Sequence, residues 1–315
     1  MEIFLITAKQ MITLLCFVAI GFALIKLKIL DQNATKVVSV IVTKIFIPML
    51  CFNTMSNKMK VDSIAKSWPI ILTSVLFLCV AFFLGKFFAK FFTKDRNENS
   101  IYTYGFAISN MAYIGYPVVN AVFGETGLFY IMLFDLPFSV FVFTIGMSML
   151  TQQNKIRLKM LANPILIAIA LGSVVGLVGL QMPEIVTNIT TAGANCMSPC
   201  AMILMGLVLG KATLKDTLLK PKMYLVSAVR LIAMPIILGS IAYFVCWALN
   251  LDMLYACMTI IAASLPMGAN SVAFVESAGF DGKVGAQSCF VSSLMALITL
   301  PIVFMLLQML NLVSF

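Results

Sequence analysis

The sequence predicts an all-α polytopic membrane protein of ten transmembrane helices in a 5+5 inverted repeat, with helices four and nine broken. Three observations lead there. First, 62% of the 315 residues are hydrophobic and 10% are charged, with a mean hydropathy of +1.06. Apolar runs of about 18 residues or more recur from end to end, long enough to cross a bilayer. Second, two of these runs carry helix breakers: Ser109 to Pro117 (Ser-Asn-Met-Ala-Tyr-Ile-Gly-Tyr-Pro) and Ser264 to Ser271 (Ser-Leu-Pro-Met-Gly-Ala-Asn-Ser). A break frees backbone N–H and C=O groups that lipid cannot satisfy, so it must be buried in protein or line a polar cavity. Third, the order long span, proline span, broken span and glycine turn occurs twice.

In chain order the predicted spans are 3–26, 33–56, 68–92, 101–123, 128–150, 163–180, 184–210, 223–249, 253–277 and 284–312. The first is followed by basic residues rather than by a small-residue cleavage site, so it reads as a retained span and not a signal peptide. Residues 1–150 form the first repeat, 151–162 a short connecting loop and 163–315 the second repeat. Pro48 in the second span matches Pro199 in the seventh, and the turn from Gly124 to Gly127 matches that from Gly279 to Gly282. Five spans per half is an odd number, so the second copy enters from the opposite side.

Several function classes are excluded or disfavoured. The chain has no His, which removes Ser-His and Cys-His dyads, HExxH zinc sites and histidine proton relays. Its eight Cys all fall inside apolar segments, where a free thiol behaves as a small hydrophobe, so neither disulfides nor a metal site are expected. There is no Walker A motif, dinucleotide fingerprint or EF-hand loop, and no cofactor is expected beyond a coupling H⁺ or Na⁺. An intramembrane aspartyl protease would need paired Asp residues, and Asp135 alone lies deep in a span. The protein is therefore expected not to be an enzyme. The 22 Met and 25 Phe read as core and lipid-facing residues.

The net charge of +9 reflects basic loops on one membrane face rather than a nucleic-acid partner. Loops after odd-numbered spans, with the adjoining span ends, hold Lys26, Lys28, Lys86 through Arg96, Lys155, Arg157, Lys159, Lys211 through Lys222, and Lys283. Loops after even-numbered spans hold only Lys58, Lys60 and Lys66. Short Lys/Arg-rich loops stay cytoplasmic, so both termini are expected outside the cytoplasm.

The breaks carry Asn110-x4-Gly115-x-Pro117 and Pro266-x3-Asn270, and Ile45-Phe46-Ile47-Pro48 and Ala162-Asn163-Pro164 lie at the second and sixth spans. With these residues and its ten-span length the chain resembles the auxin efflux carrier family of membrane transporters, in particular its short bacterial members, over essentially its whole length. The resemblance implies a secondary transporter in the plasma membrane (the inner membrane of a bacterium), with helices four and nine crossing at the membrane midplane. It also implies a small organic anion as substrate, a carboxylate such as malate or malonate. Plant members have a long central loop, and residues 151–162 are too short for one, so auxin itself is not the expected substrate. A homodimer is compatible with the sequence. The alternative is a channel or ligand sensor on a transporter scaffold.

The candidate substrate-binding residues are Asn110, Tyr113, Gly115, Pro117, Pro266, Asn270, Ser271, Lys44 and Arg230. Asn amides offer donors and acceptors without a charge to desolvate, and half-helix N-termini of roughly +0.5 charge suit an anion. Ionisable groups inside a span cost roughly 2.5–3.5 kcal/mol on insertion scales and call for a reason. Lys44 and Arg230 are the deep cations. Asp135, with Glu276, is assigned to ion coupling, Asp135 resting against one of the cations in the empty site. The competing reading makes these groups structural pairs and the two breaks mere kinks.

Overall fold

The structure is a computed structural model and describes residues 2–31, 33–152, 162–211, 219–268 and 270–310. Among them there are helices and no strands. In chain order the helices are α1 (Glu2–Lys26), α2 (Ala34–Lys58), α3 (Val61–Phe92), α4 (Arg96–Ala107), α5 (Met111–Thr151), α6 (Pro164–Val178), α7 (Glu184–Lys211), α8 (Pro221–Ala248), α9 (Met253–Ser264), α10 (Asn270–Ser277) and α11 (Lys283–Met309). Among the described residues six runs are long and apolar enough to cross a membrane, and shorter apolar helices accompany them. Most of the expected connecting loop, residues 153–161 with Lys155, Arg157 and Lys159, lies outside the described residues.

Local chemistry sets the helix ends. Asp95 accepts a hydrogen bond from Glu98 N at 2.8 Å and starts α4 five residues earlier than the apolar pattern predicts. Asp252 caps α9 through Leu254 N at 2.9 Å, and Asn163 caps α6 through Ile165 N and Leu166 N, both at 3.0 Å. The expected glycine turns form where they were placed. Gly124 (φ 63°) breaks α5 into two limbs, and Gly279 (φ 81°) follows α10; both hold a left-handed backbone that a β-carbon would strain.

Prolines reshape three helices without ending them. A proline has no N–H, and its ring crowds the carbonyl four residues back. Here the chain widens into a π-turn just upstream: Val42–Phe46 before Pro48, Met111–Gly115 before Pro117, and Val229–Ala233 before Pro235. A fourth π-turn, Val142–Gly146, has no proline behind it; there the Thr144 hydroxyl bonds the Val140 carbonyl at 2.6 Å. These turns carry Thr43, Tyr113 and Arg230, three side chains that the site depends on.

The bundle faces outward with rows of exposed apolar side chains, such as Leu72, Phe83, Phe87 and Phe91 on α3 and Ile236, Phe244 and Trp247 on α8. An apolar skin of this extent belongs against lipid. Inside, Phe77 of α3 meets Phe134 and Phe138 of α5 at centroid distances of 5.5 and 5.6 Å. Two helix pairs close on small residues: α1 crosses α7 at Gly21 and Gly206, and α6 lies on α2 through Gly172 and Gly176. Lipid tails give apolar helices no hydrophobic reason to associate, so close backbone approach supplies the contact. A β-carbon on Gly206 would sit 2.8 Å from Gly21 Cα and 2.7 Å from Phe22 N. Gly206→Leu is therefore expected to prise α1 from α7 at a cost of about 1–3 kcal/mol. The check is thermal unfolding of the purified variant, and an unchanged Tm would contradict this crossing.

Candidate functional site

Both interrupted segments open where the sequence breaks them. α4 stops at Ala107 and α5 starts at Met111; α9 stops at Ser264 and α10 starts at Asn270. The unwound stretches run antiparallel past each other and satisfy one another's backbone. Asn110 N donates to Pro266 O at 2.9 Å, Gly268 N donates to Ile108 O at 3.0 Å, and Ser109 and Met267 form an isolated β-bridge. Pro266 leaves the Ala262 carbonyl without a helical partner. The Ser109 hydroxyl takes it at 2.5 Å, so each break repairs the other. Gly115 lies within reach of Leu265, where a β-carbon would stand 2.7 Å from Leu265 Cδ1.

Two cavities flank this crossing. The smaller, about 90 Å³, is lined among others by Thr43, Asn110, Tyr113, Tyr116, Asp135, Ser139 and Asn270. The larger, about 180 Å³, includes Thr35, Ser39, Asn110, Tyr113, Cys289 and Asn270. Asn110, Tyr113 and Asn270 belong to both. The Tyr113 hydroxyl is held by Thr43 Oγ1 at 2.7 Å and Ser39 Oγ at 3.2 Å, fixing its ring between the two spaces. A water needs roughly 10–15 Å³ by this measure, so each cavity has room for several waters or a small solute.

Asp135 is 8% exposed and comes from the second limb of α5. Its carboxylate Oδ2 accepts from the Tyr116 hydroxyl at 2.7 Å and from Ser139 Oγ at 3.4 Å. Ser139 follows Asp135 by four residues and so shares its helix face. Arg230 has no exposed surface. Its Nε donates to Leu265 O at 3.0 Å, Nη1 to Phe106 O at 2.6 Å, and Nη2 to Ala262 O at 3.2 Å and to Ser109 Oγ.

Of the residues expected at the site, the structure gathers Asn110, Tyr113, Asn270 and Asp135 around the cavities. It does not gather Gly115, Pro117, Pro266, Ser271, Lys44 or Arg230 there. Pro117 and Ser271 are buried and line neither cavity; the Ser271 hydroxyl donates to Gly268 O at 3.0 Å. Gly115 and Pro266 shape the crossing rather than face a cavity. Arg230 is spent on carbonyls. Lys44 is exposed on the bundle surface and lines neither cavity, because Thr43 and Ile47 present the cavity face of α2. The expected resting pair between Asp135 and a deep cation does not form. Among the described residues the ion pairs are Lys58 with Glu125 at 3.8 Å and Lys222 with Glu98 at 3.4 Å. The Glu276 side chain lies outside the described part of the structure. Sequence reasoning missed Ser39, Thr43 and Ser139; the position of Ser139, one turn after Asp135, is the signal that could have found it.

The helices form a membrane bundle with an interrupted-helix crossing beside two small cavities, and the sequence comparisons point to membrane transport. The family model described as "Membrane transport protein" matches residues 6–304. The chain belongs to this auxin efflux carrier-like transport family. It is an integral, multi-pass membrane protein. A similar protein named "Uncharacterized transporter", from Methanothermobacter thermautotrophicus, is 23% identical over 309 residues, covering 95% of this chain and 98% of the relative.

In this transporter the Asp135 carboxylate depends most on Tyr116. A hydrogen bond to a charged group is worth about 1.5–3 kcal/mol. Tyr116→Phe is therefore expected to lower stability by roughly 1–3 kcal/mol, measured by thermal unfolding at neutral pH. A Tm equal to that of the wild type would mean that the carboxyl is satisfied from the cavity instead.

Proposed function

We propose that the protein is a secondary carrier that moves a small organic anion, a carboxylate such as malate or malonate, across the plasma membrane by alternating access. The observation that carries this reading is the pair of cavities separated by Tyr113 and sharing Asn110 and Asn270. A single site reached in turn from two spaces is what alternating access needs. Met111 and Asn270 begin helices beside those cavities, and helix N-termini of roughly +0.5 charge favour an anion.

The ten-span inverted repeat belongs to the same proposal. α1 lies on α7 and α6 on α2, while α3 lies on α4 and α8 on α9. Exchanging the first five spans with the second five maps each of these pairs onto another, as a two-fold axis in the membrane plane would. Caps Asp95 and Asp252 and turns Gly124 and Gly279 fall at matching places in the two halves.

Asp135 supplies the coupling. It is the acidic residue among those lining the smaller cavity, and its carboxylate would repel an anion bound a few ångström away; two like charges 4 Å apart interact by about 4 kcal/mol at an effective dielectric constant of 20. Protonation of Asp135 removes that repulsion, so anion and proton bind together and travel as a symport. The sign follows: uptake rises as the pH falls on the loading side.

The test is uptake of labelled malate and malonate into proteoliposomes at a series of external pH values. A carrier saturates and shows counterflow; conduction without counterflow would replace this reading with a channel. Asp135→Asn is expected to keep binding and counterflow but to lose the dependence of uptake on pH. A folded Asp135→Asn variant with the wild-type pH profile would remove Asp135 from coupling.

The distribution of basic residues supports an orientation with both termini outside the cytoplasm. A membrane-impermeant thiol reagent applied to intact cells is expected to reach Lys60→Cys and to miss Lys155→Cys; the opposite result would invert the topology.

A further inference from the structure

Arg230 is a full positive charge buried inside a membrane bundle, with no carboxylate against it among the described residues. Asp135 takes its hydrogen bonds from Tyr116 and Ser139. Such a charge is costly in a bilayer unless something compensates it. Its compensation is the backbone. α4 and α9, twelve residues each, end at the crossing, and three of the four acceptors of Arg230 are carbonyls at those ends: Phe106, Ala262 and Leu265. The fourth, Ser109 Oγ, is itself tied to the Ala262 carbonyl. Each helix C-terminus carries roughly −0.5 charge, so two of them present about one negative charge to one guanidinium.

Converging carbonyls and half-helix C-termini are the kind of place where a carrier coordinates Na⁺. We infer that Arg230 is a built-in cation that occupies this carbonyl cluster, holds the two half-helices together and takes the place of an exchangeable metal ion. Arg230 is accordingly a positioning residue: it lines neither cavity, yet it neutralises the negative helix ends and leaves the positive ends at Met111 and Asn270 to dominate the field there. The π-turn Val229–Ala233 ahead of Pro235 carries its side chain into the crossing.

This inference adds to the anion-carrier reading, and its test is built to fail separately. Wild type, Arg230→Gln and Arg230→Lys are purified, and their Tm is measured without any organic anion in millimolar choline, sodium or guanidinium chloride at equal ionic strength. The wild type is expected to melt alike in choline and sodium. Arg230→Gln is expected to melt lower and to regain about 2–4 °C in guanidinium relative to choline, the scale on which a ligand at roughly ten times its Kd shifts a protein of this size. Arg230→Lys keeps the charge but not the fork, and is expected to lie between the two. A purely steric role for Arg230 predicts no rescue by guanidinium, since that ion acts elsewhere as a denaturant. An Arg230→Gln variant that ignores guanidinium overturns the inference, as does a wild type that Na⁺ stabilises. If Arg230→Gln yields no folded protein, the wild-type comparison decides: equal Tm values in sodium and choline support the assignment, and a rise in sodium overturns it. Rescue of Arg230→Gln without carboxylate transport would refute the proposed substrate class alone.

Discussion

Everything in this bundle answers to one constraint: a helix interrupted inside a membrane leaves backbone groups that nothing in lipid can satisfy. The protein meets it by placing two interruptions against each other. Asn110 N, Pro266 O, Gly268 N and Ile108 O pair as a fragment of antiparallel sheet, and the Ala262 carbonyl freed by Pro266 goes to Ser109 and Arg230. The neighbouring elements follow from that. Gly105 and Gly115 lack side chains because Met267 Sδ and Leu265 Cδ1 would stand 2.8 and 2.7 Å from a β-carbon there. α8 opens into a π-turn where Arg230 is needed.

The charges divide along the same line. Arg230 is consumed by the negative ends of α4 and α9, and Asp135 by two hydroxyls, so neither deep charge neutralises the other. The cavities are left with amides, hydroxyls, two helix N-termini and one carboxyl group. In the proposed carrier, such a site discriminates by dipoles and by whether Asp135 carries a proton. Desolvating a fixed salt bridge beside the substrate is avoided, a step whose cost can exceed its Coulombic return. The hydroxyl bridge from Tyr113 to Ser39 and Thr43 adds an uncharged partition beside both cavities.

Much of the fold was legible because its causes are local. A proline withholds an N–H wherever it stands, so Pro117 and Pro266 mark the segments that open. Gly124 and Gly279 mark turns because they alone adopt a left-handed backbone without strain there. Asn110 and Asn270 were legible as cavity residues for the same reason, since polar side chains at a break in an apolar run have few other uses. Gly115, Pro117 and Pro266 were expected to bind the substrate; in the structure they line neither cavity, and Gly115 and Pro266 shape the crossing.

The sequence by itself determined that the chain is helical, apolar and multi-pass, where its helices break and turn, and that its two halves share an order. Only the tertiary structure decided what the deep charges do. Arg230 and Lys44 look alike in the sequence, each a cation eight to eleven residues into an apolar run. In space one meets two helix ends and the other faces outward from α2. The physical reason is that the partners of Arg230 are backbone carbonyls, which every residue possesses and no residue type announces. Whether they converge on a guanidinium depends on how α4, α8 and α9 cross, and crossing angles are set by contacts between distant segments, not by any pattern along one of them.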